Sequence, residues 1–370
     1  MTESESQHQE PLPIREEAFR HYVQIAMDWA SKSLQGRNGF GALREYTNIL
    51  DNSCRLVLSS GFFSHRTATP GFPWGFPDPE CWDFFRHFGH YKGSPGHRFF
   101  VEVMLSSPAN YSPRPIWALF WSLAKAEHIF LEKYIPFWSH EERLTGHLVS
   151  LMVERLEEYG VHWRSLAGDS TGKTDCQIWY ADTATARQEH LTGADLGLVV
   201  HGKMPGSDEF FKVVRFQAKK VGNSGNANID FDQLEALLSE EHVGYYLFYY
   251  HLDKTQWSLP PTSRPASDFT YALNQVKEKH AQTPRRNGLG THPVKAHENG
   301  YDLATMITFG VADPASEVGK LANDACDAVS ILGSGPTPPS RILIVTLGSG
   351  TDVHLWQHLL REYIGFNSNE

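Results

Sequence analysis

Thr192-Gly193-Ala194-Asp195-Leu196-Gly197-Leu198-Val199-Val200 and, beyond a polar stretch, Val213-Val214-Arg215-Phe216-Gln217-Ala218-Lys219-Lys220 are the two runs whose pairing decides the fold. Side chains alternate faces along a strand, so Gln217 and Lys219 share one face while Phe216 and Ala218 take the other. The segment between them, His201-Gly202-Lys203-Met204-Pro205-Gly206-Ser207-Asp208-Glu209, has the Gly and Pro punctuation of a hairpin loop. Closing that hairpin brings Asp195 beside Gln217.

The residue types suit a hard divalent cation, which takes oxygen ligands. The Asp195 carboxylate, the Gln217 amide oxygen and the Ala218 main-chain carbonyl all supply oxygen. Lys219 cannot be a ligand. Its ammonium belongs beside the attacking water or the charge developing on a scissile phosphate, where fixed positive charge lowers the barrier. The bland reading of the same residues is an amphipathic hairpin in which Asp195 caps a turn and Lys219 and Lys220 are solvated.

This pattern resembles the PD-(D/E)XK nuclease superfamily, specifically its Gln-x-Lys branch with the Mrr-type restriction enzymes. The resemblance spans Ser139 to about Leu252, roughly a third of the chain. It implies an α/β restriction-endonuclease-like core, a central mixed sheet flanked by helices, in the order helix, strand, strand, helix, strand. It also implies a glutamate on the helix before the sheet. Ser139-His140-Glu141-Glu142-Arg143-Leu144 opens a stretch with Ser139 and Glu142 at capping-box spacing and Leu144, Leu148, Leu151 and Met152 as its apolar stripe. Glu142 is preferred over Glu141, because the family places the acid two residues before the first apolar position.

By resemblance, then, Glu142, Asp195 and Gln217 hold Mg²⁺, with Mn²⁺ as a substitute, and Lys219 orients the nucleophile. Glu189, ahead of the Gly-Ala-Asp step, and Gln233, on the helix after the Gln-x-Lys strand, are accessory positions. The implied activity is metal-dependent hydrolysis of phosphodiester bonds in nucleic acid, DNA foremost, in restriction or antiphage defence. The chain departs from the family name twice: Ala194 stands where the proline would, and Gln217 replaces the second acid. The neutral amide leaves a metal site with one fewer negative charge.

Composition sets wider limits. The chain has 370 residues, enough for two or three units with sizeable cores. No apolar run approaches the roughly 20 residues that span a bilayer. Residues 1–12 are polar and acidic, without the apolar stretch of a signal peptide, and are expected to be a disordered tail. Cys54, Cys81, Cys176 and Cys326 form no CxxC pair, which fits a reducing cytoplasm.

Lys and Arg number 33 against 43 Asp and Glu, a net charge of −10, which excludes coating of nucleic acid by bulk electrostatics. Positive charge must be concentrated locally. Lys277, Lys279, Arg285, Arg286 and Lys295 form one such stretch, which reads equally well as a solvated loop.

Residues 13–137 read as a helical, aromatic-rich region, with helical periodicity over Ile14–Ser33 and Pro115–Tyr134. The Gly- and Pro-dense stretch between them contains His87, His90 and His97 near Glu80 and Asp83, without metal-ligand spacing. This region is the expected contact for a protein partner or for a second copy. Residues 138–255 are the nuclease-like core, closed by Pro260 and Pro261. In residues 256–370 the pattern predicts a strand over Tyr301–Val311, a helix over Ala315–Leu332, a strand over Arg341–Leu347 and a helix over Thr351–Ile364, which complete the same sheet.

Two motifs are decoys. Ala167-Gly168-Asp169-Ser170-Thr171-Gly172-Lys173-Thr174 approximates a phosphate-binding loop, but Ala167 stands at its first Gly and a strand pattern, Cys176-Gln177-Ile178-Trp179-Tyr180, follows it. Leu347-Gly348-Ser349-Gly350 is a strand-to-helix turn. Two rivals to the enzyme reading remain: a catalytically inactive nuclease-fold module that binds nucleic acid or a partner protein, and an interaction scaffold built on the aromatic N-terminal region.

Overall fold

The computed structural model describes residues 49, 52, 53, 55, 56, 59, 60, 115–137, 139–167, 176–182, 194–204, 207–222, 224–250, 261–282, 289–296, 299–334, 339–348 and 353–364. Glu189, the three histidines His87, His90 and His97, the phosphate-loop-like stretch from Gly168 to Thr174, residues 1–12 and most of residues 13–137 lie outside them.

The protein is α/β, with a large mixed sheet flanked by helices. Helices α1 (Pro115–Lys133) and α2 (Glu141–Ala167) lead into β1 (Cys176–Asp182), β2 (Leu196–Lys203), β3 (Phe210–Val221) and β4 (Asn226–Asp230). Then come α3 (Phe231–Leu237), β5 (Gly244–Tyr250), β6 (Thr262–Pro265), α4 (Thr270–Gln282), β7 (Thr291–Lys295) and β8 (Tyr301–Asp302). Last are β9 (Lys320–Ala322), α5 (Ala325–Gly333), β10 (Arg341–Gly348) and α6 (Val353–Ile364). The main strand order is β1-β10-β2-β3-β5-β6-β8, with β4 and β9 also pairing β3, and β7 pairing β4.

The hairpin expected from the sequence is present: β2 and β3 are antiparallel, with Leu196 opposite Phe216. Period-two alternation sorts the apolar residues. Leu196, Leu198, Val200, Val214, Phe216 and Ala218 pack with α1 and α2 on one face. Val199, Val213, Ile342 and Ile344 meet α5 and α6, and Tyr246, Phe248 and Tyr250 meet α3 and α4, on the other.

Strands on both sides of residue 255 belong to this one sheet, and β10 lies within it, second in the order, parallel to β2 and antiparallel to β1. At the end of β10, Gly348 has φ +95°, and a Cβ there would stand 2.1 Å from the Lys203 carbonyl oxygen. Only glycine lets the chain turn toward α6 at this point.

Three expectations are corrected. The run predicted as a strand over Tyr301–Val311 is a strand only at Tyr301–Asp302; Leu303–Thr305 is a helical turn and Met306–Val311 a π-helix. A continuously buried run has no period to distinguish helix from strand, and Asp302 decides it by capping the turn through the Thr305 N–H. The helix predicted over Ala315–Leu332 starts only at Ala325, where the Asp324 carboxylate accepts the Asp327 N–H; Lys320–Ala322 is instead strand β9. Finally, β4 intervenes between the Gln-x-Lys strand and the following helix.

The π-helix is anchored by a buried cation. Lys212 is fully buried on β3, and its Nζ donates to the carbonyls of Gly310 (3.2 Å), Asp313 (2.7 Å) and Ser316 (2.6 Å). Three ammonium hydrogens thus meet three acceptors at the point where the helical run ends.

Candidate metal centre

The site forms just before β2 begins, where β3 continues beyond their ladder. Leu196 is the first residue of β2 and pairs with Phe216, whereas β3 runs on through Gln217–Val221 with β5 on its other side. The β3 edge facing away from β5 therefore needs partners beyond Phe216. Carboxylates supply two of them. Asp195 Oδ2 accepts the Ala218 N–H at 2.7 Å, and Glu141 Oε1 accepts the Lys220 N–H at 3.2 Å. Two acids distant in sequence thus line one strand edge.

Asp195 is held at both ends. Its N–H donates to the Phe216 carbonyl at 2.8 Å, and its carbonyl accepts the Ser340 hydroxyl at 2.8 Å. The side chain is buried, and Gln217 Nε2 donates to Oδ2 at 2.6 Å. Burial raises the Asp195 carboxyl to about 6, opposed by the Ala218 N–H and the Lys219 charge, with the Glu141 and Glu142 charges adding to the rise.

Gln217 is also buried, and its Oε1 is buried without a hydrogen-bond partner. A buried amide oxygen without a partner is costly and leaves an oxygen donor free for a ligand. The donor set of Asp195, Gln217 and Glu141 fits a hard divalent cation by this test. Among the described residues, no group of three or more His, Cys, Asp or Glu side chains gathers as a metal site.

Lys219 follows on the same face as Gln217. Its Nζ donates to Gln233 Oε1 at 2.9 Å, which ties the lysine to α3. Asp230 fixes the start of α3 by accepting the Asp232 and Gln233 N–H groups, so the position of Gln233 is set by a capped helix rather than by a loop.

Of the two adjacent glutamates, Glu141 is the one that bonds the β3 edge, and the charges of both act on Asp195. Glu142 is exposed, whereas Glu141, the first residue of α2, turns toward the β3 edge. One residue along a helix rotates a side chain by about 100°, so only one of two adjacent glutamates can face the strand. The Glu141 carbonyl accepts the Thr145 hydroxyl at 2.9 Å, and Thr145 Oγ1 lies 2.9 Å from the buried Tyr249 hydroxyl on β5.

Sequence reasoning missed Thr145, Tyr249 and Ser340 as positioning residues. Each acts across elements far apart in the chain, and nothing in the local pattern distinguishes them from core or turn residues. In the basic stretch, Lys277 is occupied by Glu235 at 2.6 Å, while Arg285 and Arg286 lie outside the described residues.

No described helix is long and apolar enough to cross a membrane. Comparison with known protein families, with curated proteins and with solved structures finds no match to this chain.

Proposed function

We propose that this protein is a divalent-metal-dependent nuclease with a restriction-endonuclease-like core, acting on the phosphodiester backbone of nucleic acid, DNA in the first instance. The observation that carries the reading is the buried, unpaired Oε1 of Gln217, an amide whose Nε2 donates to the Asp195 carboxylate, with Lys219 further along the same strand face. In this reading Asp195, Gln217 and Glu141 hold Mg²⁺, or Mn²⁺ in its place. When bound, the cation polarises a phosphoryl oxygen and offsets charge in the transition state.

The protein groups have separate tasks. Lys219, held by Gln233, presents fixed positive charge to the phosphate as water adds to phosphorus and the P–O bond to the leaving oxygen breaks. The Asp195 and Glu141 carboxylates stay aligned because each also accepts a β3 N–H. Tyr249 and Thr145 hold the first turn of α2, and Glu141 with it. A role in restriction or antiphage defence is proposed on resemblance alone.

The test is cleavage of supercoiled plasmid, linear duplex and RNA with Mg²⁺, Mn²⁺ or EDTA, with Asp195→Ala alongside. Cutting that needs the cation and Asp195 is expected. Equal cutting in EDTA would remove the metal from the mechanism. Binding of nucleic acid without cutting under any of these conditions would favour the inactive binding module.

A further inference from the structure

His201 has the parity of Val199 along β2 and so lies on the sheet face covered by α5 and α6. It is buried, and its ring stacks on that of Phe211, its register partner on β3, with centroids 4.3 Å apart. Both ring nitrogens are engaged. Nε2 lies 2.7 Å from Glu209 Oε1, and Nδ1 lies 3.2 Å from the Trp356 Nε1 that donates to it. Trp356, almost wholly buried, and Leu360 are the apolar anchors of α6.

Hydrogen-bond chemistry fixes the state of this ring. An indole N–H can only donate, so Nδ1 is the unprotonated acceptor and Nε2 carries the hydrogen shared with Glu209. A second proton has only Nδ1 to go to, where it points along the ring plane at the indole N–H. Turning the ring over does not help, since both nitrogens of an imidazolium donate. Two opposed donors inside a packed layer are relieved only when one of them moves. His201 is fixed in a strand paired on both sides, by β10 and β3, whereas Trp356 belongs to a helix held by its side chains.

Glu209 and Lys203 are the charges that act on the imidazole; Thr346, its register partner on β10, is neutral, and His354 and His358 on α6 are exposed. Glu209 is itself partly exposed and also meets Lys203 Nζ at 3.5 Å. Burial pushes the imidazole below its ordinary value, and the Glu209 carboxylate, which pulls it up, offsets only part of that. With the folded value depressed, the contribution to stability is full above the unfolded value of about 6.5 and is lost as pH falls below it.

We propose that Trp356, His201 and Glu209 form an acid-sensitive latch: the neutral imidazole holds α6 on the sheet, and protonation releases the helix and uncovers the Phe211 ring beneath Trp356. The latch is independent of the metal centre at the other end of β2 and of the chemistry proposed for it.

The experiment is amide hydrogen exchange on the full chain from about pH 7.5 to about pH 5, expressed as protection so that the intrinsic pH dependence of exchange drops out. Helix α6 is expected to lose protection about tenfold or more on the way down, while α4, on another part of the sheet, keeps its own. Glu209→Gln removes the charge that favours the imidazolium, so the midpoint of the loss should fall by about one pH unit. His201→Gln can still accept from the indole and donate to Glu209, but it does not titrate, and its α6 protection should stay level across the range.

Equal α6 protection at the two ends of the range overturns the latch, as does a wild-type loss retained in His201→Gln. A loss shared equally by α4 is global unfolding and overturns it too. Should His201→Gln fail to fold, Glu209→Gln, changed at a partly exposed position, still decides: a midpoint that does not fall overturns the proposal.

Discussion

Asp195 Oδ2 accepts the Ala218 N–H at 2.7 Å while its own N–H is held by the Phe216 carbonyl, so the carboxylate completes the β3 edge as well as facing Gln217. A side chain that substitutes for a missing strand partner cannot swing away when a ligand leaves. The site keeps its geometry at the expense of holding a carboxylate out of water. The predictions below follow from that arrangement.

The Asp195 carboxyl, raised to about 6 by burial, makes metal binding pH-dependent. Below that value the proton competes with the cation, so Mn²⁺ affinity is expected to fall about tenfold per pH unit as pH drops from 6 to 4. Stability has the opposite sign in the metal-free protein: the folded pKa lies above the unfolded one, so the contribution is full below about 4 and is lost as pH rises through 6. Added Mn²⁺ should therefore raise the melting temperature more at pH 7.5 than at pH 5. Calorimetric titration and thermal melting of wild type and Asp195→Asn, which should show neither dependence, check this.

Gln217 separates oxygen donation from packing. Gln217→Glu places a second carboxylate beside Asp195 and is expected to bind Mn²⁺ at least as tightly as wild type, with activity kept or shifted in metal preference. Gln217→Leu removes the oxygen and should lose both affinity and cleavage. Unchanged Mn²⁺ binding by Gln217→Leu in calorimetry would show that the amide is no ligand.

Adjacent glutamates on α2 should behave very differently. Glu141→Gln is expected to lower kcat by 10²-fold or more on the scale of lost metal-site groups, about 3 kcal/mol in barrier. Glu142→Gln, at an exposed position, should stay within about twofold. Single-turnover cleavage rates of the two variants make the comparison, and a larger loss in Glu142→Gln would return the assignment to Glu142.

Lys219→Ala should abolish cleavage with Mn²⁺ affinity retained, because the ammonium faces the phosphate rather than the cation. Gln233→Leu frees Lys219 Nζ from its 2.9 Å acceptor and should lower kcat more than it raises KM. Pre-steady-state kinetics on a short duplex distinguish the two effects.

Lys212 offers a stability test away from the site. Lys212→Met leaves the carbonyls of Gly310, Asp313 and Ser316 without their shared donor and is expected to cost about 1–3 kcal/mol. Denaturant unfolding measures it. An unchanged midpoint would mean that the ammonium's own desolvation cancels what its bonds contribute.

Much of this architecture was legible in the residues. The alternation of Leu196–Val200 against Val213–Ala218 set the hairpin and its faces, and the β3 parity placed Gln217 and Lys219 together. What failed did so for definable reasons. Leu303–Val311 is buried on all sides, so its apolar run carries no period, and only Asp302 marks a helical start. Glu141 and Glu142 differ by a helical rotation that the position of the first apolar residue did not fix. Ser340 reaches Asp195 across 145 residues of chain, a distance over which local pattern is silent.

The position of β10 sets the order in which this protein is finished. A chain emerging from a ribosome has β1 and β2 long before Arg341–Gly348, yet those two strands have no pairing with each other until β10 slides between them. The hydroxyl that steadies Asp195 arrives with the same late segment. Closure over so long a separation is slow compared with forming the local hairpin. The nascent molecule thus spends most of its synthesis without a completed site, and whatever chemistry resides there is withheld until β10 locks in between β1 and β2.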